Sequence, residues 1–139
     1  MTERVGEKTV RDTEHVSQVI VFNKNKKILI MKRSDICEWE PNRWALPGGH
    51  VEKGESFPVA GERETKEEAG IDVINIRHFD NPDREKETLH FFKSDFEGDD
   101  DDVKINFEHS DYAWISKDDL EDYDIVDSTK KLLKRVFTS

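Results

Sequence analysis

Between residues 48 and 71 the chain reads GGHVEKGESFPVAGERETKEEAGI, a glycine-rich turn followed by a run crowded with carboxylates. Glu64, Glu67 and Glu68 stand at i, i+3 and i+4. On a helix this spacing turns all three toward one face, with Arg63 four residues before Glu67. Like charges at that spacing repel, and more strongly if the face is turned inward, so a cation is the natural counterpart. Clustered hard oxygens suit Mg²⁺ or Mn²⁺ rather than zinc. The ordinary alternative is that a Glu-rich helix is solvated surface. Two features weigh against it. Gly61 falls mid-helix, where glycine costs about 1 kcal/mol relative to alanine unless a close approach requires it. Phe57 and Ala60 share the side of the acids, so the side that packs would also carry the charge.

The helix itself has local start and stop signals. Ser56 is a plausible N-cap, Phe57 and Pro58 occupy the first turn, where a missing N–H costs nothing, and Gly70 is a natural C-terminal stop.

These residues resemble the Nudix box, GX₅EX₇REUXEEXGU, with U a bulky aliphatic residue. Gly49, Glu55, Arg63, Glu64, Glu67, Glu68, Gly70 and Ile71 fill its positions in register, and Thr65 stands where an aliphatic residue is usual. The preceding WALP run at residues 44–47 and the flanking strand pattern extend the likeness to most of the chain. The resemblance implies an α/β fold, an α/β/α sandwich with a mixed sheet. It also implies metal-dependent hydrolysis of a phosphoanhydride in a nucleoside diphosphate linked to another moiety, either a nucleoside triphosphate or an ADP-ribose-like sugar nucleotide. Under it Glu64 and Glu68 are the principal Mg²⁺ or Mn²⁺ ligands, Glu67 a ligand or base, and the Gly48 carbonyl a further donor. Arg63 orients the carboxylates and is held by Glu55. Glu108, before the YAW run, is a further acidic ligand or base.

Two other classes of function are weighed beside this one. A Nudix-like module could sense a nucleotide without cleaving it, although the box keeps its catalytic positions. A related prenyl-diphosphate isomerase is disfavoured because Cys37 is the only cysteine. Subgroup markers downstream of the box do not select a substrate. Residues 72–111 hold no tyrosine, which speaks against dinucleoside polyphosphates; no SQPW run is present; and Pro82 lies closer to the box than the proline associated with ADP-ribose enzymes.

The rest of the chain must position this stretch. Its 139 residues suffice for one domain, expected over residues 15–139 behind a polar arm at 1–14. A net charge of −10 argues against nucleic-acid polymers and anionic membranes, while a metal-screened small nucleotide remains compatible. With one cysteine, no signal peptide and no apolar run of membrane length, a cytoplasmic location is expected; a homodimer is left open. Residues 16–22 and 27–32 read as a hairpin around Asn23-Lys24-Asn25-Lys26. Further strands are expected at 44–46, 72–79, 88–96 and 112–115, and a helix capped by Asp127 or Ser128 should run to about Phe137. The acidic run 97–102 lacks the pattern of a calcium loop and reads as a solvated connection. Arg33, Trp44 and His50 are candidate substrate contacts: Arg33 for phosphate, and Trp44, like Trp39, for stacking on a base, against the common role of a tryptophan in the core.

Overall fold

Strand β1, Val16–Phe22, is the axis of a mixed sheet in the computed structural model, which describes residues 14–138. Its side chains alternate as a strand requires. Val19 and Val21 join Leu29 and Met31 of β2 (Ile28–Arg33) on one face, while Ile20 joins Ile28 and Ile30 on the other. The first face packs under α1 (Phe57–Ala69), the second under α2 (Asp127–Thr138), so the layers are α/β/α with a mixed sheet, as expected.

The hairpin pairing of β1 and β2 is confined to Phe22↔Ile28. Beyond it, β3 (Trp44–Ala45) pairs with β2, and β4 (Gly48–His50) pairs antiparallel with β1 through Val16↔His50, Ser17↔Gly49 and Gln18↔Gly48. The glycine pair, read from the sequence as a turn, is therefore a strand. Gly48 is needed there for close approach, since a Cβ would sit 2.3 Å from the Ser17 carbonyl oxygen. On the other side of β1 lies β6 (Leu89–Asp95) in parallel, then β5 (Ile74–Phe79) antiparallel to β6, and β7 (His109–Ile115) covers the far edge of β2.

Two strand starts depart from expectation by more than one residue. Strand β5 starts at Ile74 rather than residue 72, and its register shifts around Asn75, whose φ is 55°. Strand β7 starts at His109 rather than Tyr112, because a bulge between Lys32 and Arg33 lets Arg33 pair with His109. That earlier start puts Glu108 immediately ahead of β7.

Helix α1 begins and ends where its caps require. The Ser56 hydroxyl accepts from the Val59 N–H at 3.4 Å, and Gly70, at φ 70°, donates its N–H to the Lys66 carbonyl. Gly61 has the close approach expected of it: a Cβ would lie 2.8 Å from a Val19 methyl, so α1 rests directly on β1. Thr65 is fully buried at the box's aliphatic position and satisfies its hydroxyl by donating to the Gly61 carbonyl at 2.8 Å. Helix α2 starts at Asp127, with its first bond accepted by the Val126 carbonyl, and buries Leu132, Leu133 and Val136 for about 1.5–3 kcal/mol each. An Arg135–Asp83 ion pair ties α2 to the β5–β6 connection. The acidic run is structural: Asp100 accepts from Asn23 Nδ2 through its carboxylate and from Trp114 Nε1 through its carbonyl. No helix among the described residues is long and apolar enough to cross a membrane. The expected arm, residues 1–14, lies outside the described residues except for Glu14.

Candidate active site

Arg63 gathers the acids. Its Nε donates to Glu55 at 2.7 Å and its Nη2 to the other Glu55 oxygen at 3.1 Å, a bidentate pair that fixes the guanidinium plane. Nη1 reaches Glu64 at 3.1 Å and Glu67 at 3.3 Å, and Nη2 also reaches the His50 carbonyl at 3.0 Å. Glu55 is anchored in turn by the Glu52 N–H at 3.0 Å. The Arg63 hydrogen bonds hold the Glu55 carboxyl below its ordinary range, and the same acids, Glu55 foremost, strengthen the protonated state of Arg63.

Helical spacing suggested one shared face for the three helix acids, but their environments differ. Glu68 is 7% exposed and accepts from the Gly48 N–H at 3.1 Å. The Glu64 side chain is 16% exposed, whereas that of Glu67 is 56% exposed and turns to Arg63. The buried face of α1 holds Ala60, Gly61, Thr65, Glu68 and Ala69. Burial, then the Glu64 charge, pushes the Glu68 carboxyl well up from its ordinary value, and burial pushes Glu64 up as well. The charge of Glu64 lies close enough to Glu68 to disfavour a second charge there.

A divalent cation fits this pair. It would neutralise two desolvated like charges whose carboxylates are hard oxygen donors. As the side chains stand, no three His, Cys, Asp or Glu residues among those described are grouped to hold a metal ion, so the pair needs a further oxygen from a carbonyl or a moving carboxylate. The Gly49 position supports the fit. A Cβ there would lie 2.4 Å from the Glu64 carboxyl carbon, so β4 is shaped to leave that carboxylate its place.

The acids open onto a cavity of about 710 Å³. Glu64, Glu68, Gly48, Gly49, His50, Arg33 and Glu108 all line it, which brings together most of the residues singled out in the sequence. Glu55, Arg63 and Glu67 stand behind or beside that lining. Trp44 is not on it. The Trp44 ring packs edge-on against Tyr123 at 4.9 Å and against the α2-side core, and Trp39 lines the cavity instead, half exposed, with the Arg33 guanidinium 4.8 Å from its ring centre. Arg33 also donates to the Trp39 carbonyl at 2.6 Å. Glu108 is exposed, and its carbonyl accepts from the Ser34 N–H at 2.9 Å and the Cys37 thiol at 3.4 Å; its charge is felt by Glu68. Sequence reading passed over Asn81, Arg84, Lys86, His109 and Lys131, which also line the cavity. They reach it from the β5–β6 connection, β7 and α2, and no local pattern marks them.

Comparison with known proteins follows the same line. The NUDIX domain model matches residues 13–136. Nucleoside triphosphatase NudI of Escherichia coli O81 (strain ED1a) is 35% identical over 119 residues, covering 76% of this chain and 84% of the relative. Among solved structures, MutT from the study of Aliivibrio salmonicida and Vibrio cholerae superposes with a TM-score of 0.70 at 28% identity, over 89% of this chain and 96% of that one. A Caenorhabditis elegans Ap4A hydrolase shares the fold at a TM-score of 0.65 and 21% identity, over 87% of this chain and 94% of that one. A box in full register, the same fold and a domain match from residue 13 to residue 136 make this chain a member of the Nudix hydrolase family.

Proposed function

We propose that this chain hydrolyses a phosphoanhydride of a nucleoside triphosphate with the help of Mg²⁺ or Mn²⁺. The observation that carries the reading is the pair of largely desolvated carboxylates, Glu64 and Glu68, that line a cavity large enough for a nucleotide. The choice of a triphosphate over an ADP-ribose-like sugar nucleotide rests on the 35% identical relative, which is a nucleoside triphosphatase.

Glu64, Glu68 and the Gly48 carbonyl would hold the cation, with Glu67 or Glu108 adding a donor. When bound, a divalent cation offsets phosphate charge and acidifies the attacking water. The rest falls to the chain. Arg63, clamped by Glu55, holds the Glu64 carboxylate in one orientation, and the strand geometry of Gly48 and Gly49 keeps Glu68 desolvated. Glu67 and Glu108 are the solvent-facing acids able to take a proton from the attacking water. Arg33, fixed on Trp39, offers a cation to a phosphate oxygen, and His50 borders the same space.

The test is incubation of the protein with Mg²⁺ and a panel of nucleoside triphosphates, ADP-ribose and dinucleoside polyphosphates, with product identification. Turnover of triphosphates that stops on chelation is expected. Turnover of ADP-ribose alone would overturn the substrate choice. Nucleotide binding with no turnover from neutral to alkaline pH would make the chain a sensing module.

A further inference from the structure

Two side-chain polar atoms among the described residues are buried without a hydrogen-bond partner: His109 Nδ1 and Arg84 Nε. Both residues line the same cavity. They belong to different elements, β7 and the β5–β6 connection, so their meeting at one space is tertiary. An orphaned buried polar atom is costly, and two on residues that line one cavity point to a ligand that satisfies them once those side chains turn toward it.

The remaining walls indicate what kind of ligand. Leu46, Leu89, Phe91 and Leu132 supply apolar surface, all from the α2-side core. The charge of Arg84 is already engaged by Glu87 at 2.9 Å and Asp80 at 3.7 Å, which leaves its Nε as a directional donor rather than an anion trap. His109 is 7% exposed and offers one ring nitrogen. A flat ring with apolar faces and a polar edge matches apolar walls with two isolated polar atoms. A phosphate is matched instead by the cations Arg33, Lys86 and Lys131 elsewhere on the wall.

We propose that His109 Nδ1 reads the edge of the substrate's nucleobase, with Arg84 Nε as a second contact, making His109 a specificity-determining residue. The inference rests on the nucleotide-hydrolase reading for its ligand but concerns binding, and binding can be measured without turnover. A site built to hydrogen-bond a substrate group discriminates strongly against ligands lacking it, because its own polar atoms are then left unpaired.

The test is calorimetric titration of the full chain with the α,β-methylene analogues of ATP, GTP, CTP and UTP, and with inorganic tripolyphosphate. The wild type is expected to prefer one base. His109→Leu should weaken that preferred analogue about tenfold to a hundredfold and move tripolyphosphate less than about twofold. His109→Asn, whose amide reaches the Nδ1 position, should recover more of the preference than His109→Gln, whose amide reaches the Nε2 position. Arg84→Lys keeps the charge and removes Nε, and should lower affinity for the same base by a smaller factor. Should His109→Leu fail to fold, the comparison of Asn with Gln carries the test. Equal affinity for all four bases in the wild type overturns the proposal, as does an unchanged base ranking in His109→Leu, an equal loss for tripolyphosphate, or identical profiles for Asn and Gln. A protein that binds with base preference but hydrolyses none of the parent nucleotides removes the enzymatic reading and leaves the role of His109 standing.

Discussion

Gly49 and Glu64 contend for one volume: a methyl group on residue 49 would lie 2.4 Å from the carboxyl carbon of Glu64. The carboxylate is held by Arg63 on its other side, so it cannot yield without breaking that bond. Gly49→Ala should therefore displace Glu64 and lower turnover by about a hundredfold, the scale expected of a misplacement near 1 Å, with about 1–3 kcal/mol lost from stability. Gly54→Ala is the control. Its φ of 81° makes it strained, but nothing lies within 4 Å of its Cβ, so it should cost stability while turnover stays within about twofold. Steady-state rates and thermal melts on both variants decide it; equal turnover in the two would show that the Glu64 position does not matter.

Burial and the charge of Glu64 disfavour ionisation of Glu68, and a bound cation would remove that penalty. Glu68→Gln should lower turnover at least about a hundredfold, because a charge complementary to the transition state is lost. It should also separate stability from activity. Without metal, the variant should melt no lower than wild type, since a neutral amide replaces a desolvated acid. With Mg²⁺ or Mn²⁺ added, wild type should gain melting temperature by mass action and the variant should gain little. Glu62→Gln, on an exposed position of the same helix, should behave as wild type in both assays. A metal-induced shift of the same size in Glu68→Gln and wild type would remove Glu68 from the proposed ligands.

What could be read from the sequence was what is decided locally. Ser56 and Gly70 lie within about one turn of the groups they bond, and Arg63 lies close in the chain to Glu55, Glu64 and Glu67, so the helix appears where they require it. Gly61 and Thr65 also have local explanations, one in close approach to Val19 and the other in a bond one turn back. The β4 strand was missed because its pairing is decided by β1, some thirty residues earlier, and by the wedge that opens past Phe22↔Ile28. Glu67 was grouped with Glu64 and Glu68 by helical spacing, but spacing does not reveal that the Arg63 fork draws it outward. Trp44 reads equally well as a stacking platform or as core; the Tyr123 contact, made from eighty residues away, settles its packing. His109 and Arg84 acquire meaning only when β7 and the β5–β6 connection close around one cavity.

The stacked trio His15, Phe57 and His90 gives stability a pH dependence away from the acids. His15 Nδ1 and His90 Nε2 lie 2.8 Å apart, and Phe57 stacks on His90 at 3.8 Å. Burial, then the charges of His15, Arg84 and His78, push His90 down from its ordinary value of 6.5. Between the folded value and 6.5 the unfolded chain binds more protons, so stability is at its full value above about pH 6.5 and falls as pH drops below it. Buried His109, pushed down to about 4 by burial and Arg33, acts with the same sign. His90→Gln should therefore shrink, without abolishing, the decline of the urea midpoint between pH 7.5 and pH 5. Parallel midpoint curves for variant and wild type would count against the assignment.

Glu108 approaches the site from a direction that the helix acids cannot. It precedes β7, its backbone is pinned by Ser34 and Cys37, and its exposed carboxylate is close enough for Glu68 to feel its charge. An acid so placed can either complete the cation's shell or accept the proton of the attacking water, and Glu108→Gln should lower turnover by roughly tenfold to a thousandfold in both cases. The two roles leave different traces. Loss of a base flattens the rise of rate with pH, because the group whose ionisation produced that rise is gone. Loss of a ligand weakens the cation's hold, so raising the Mg²⁺ concentration restores part of the rate while the pH profile keeps its shape. The wild-type profile, pH dependence and metal dependence retained together in Glu108→Gln would dismiss both roles and leave Glu67, already solvent-facing beside Arg63, as the remaining acid able to take the proton.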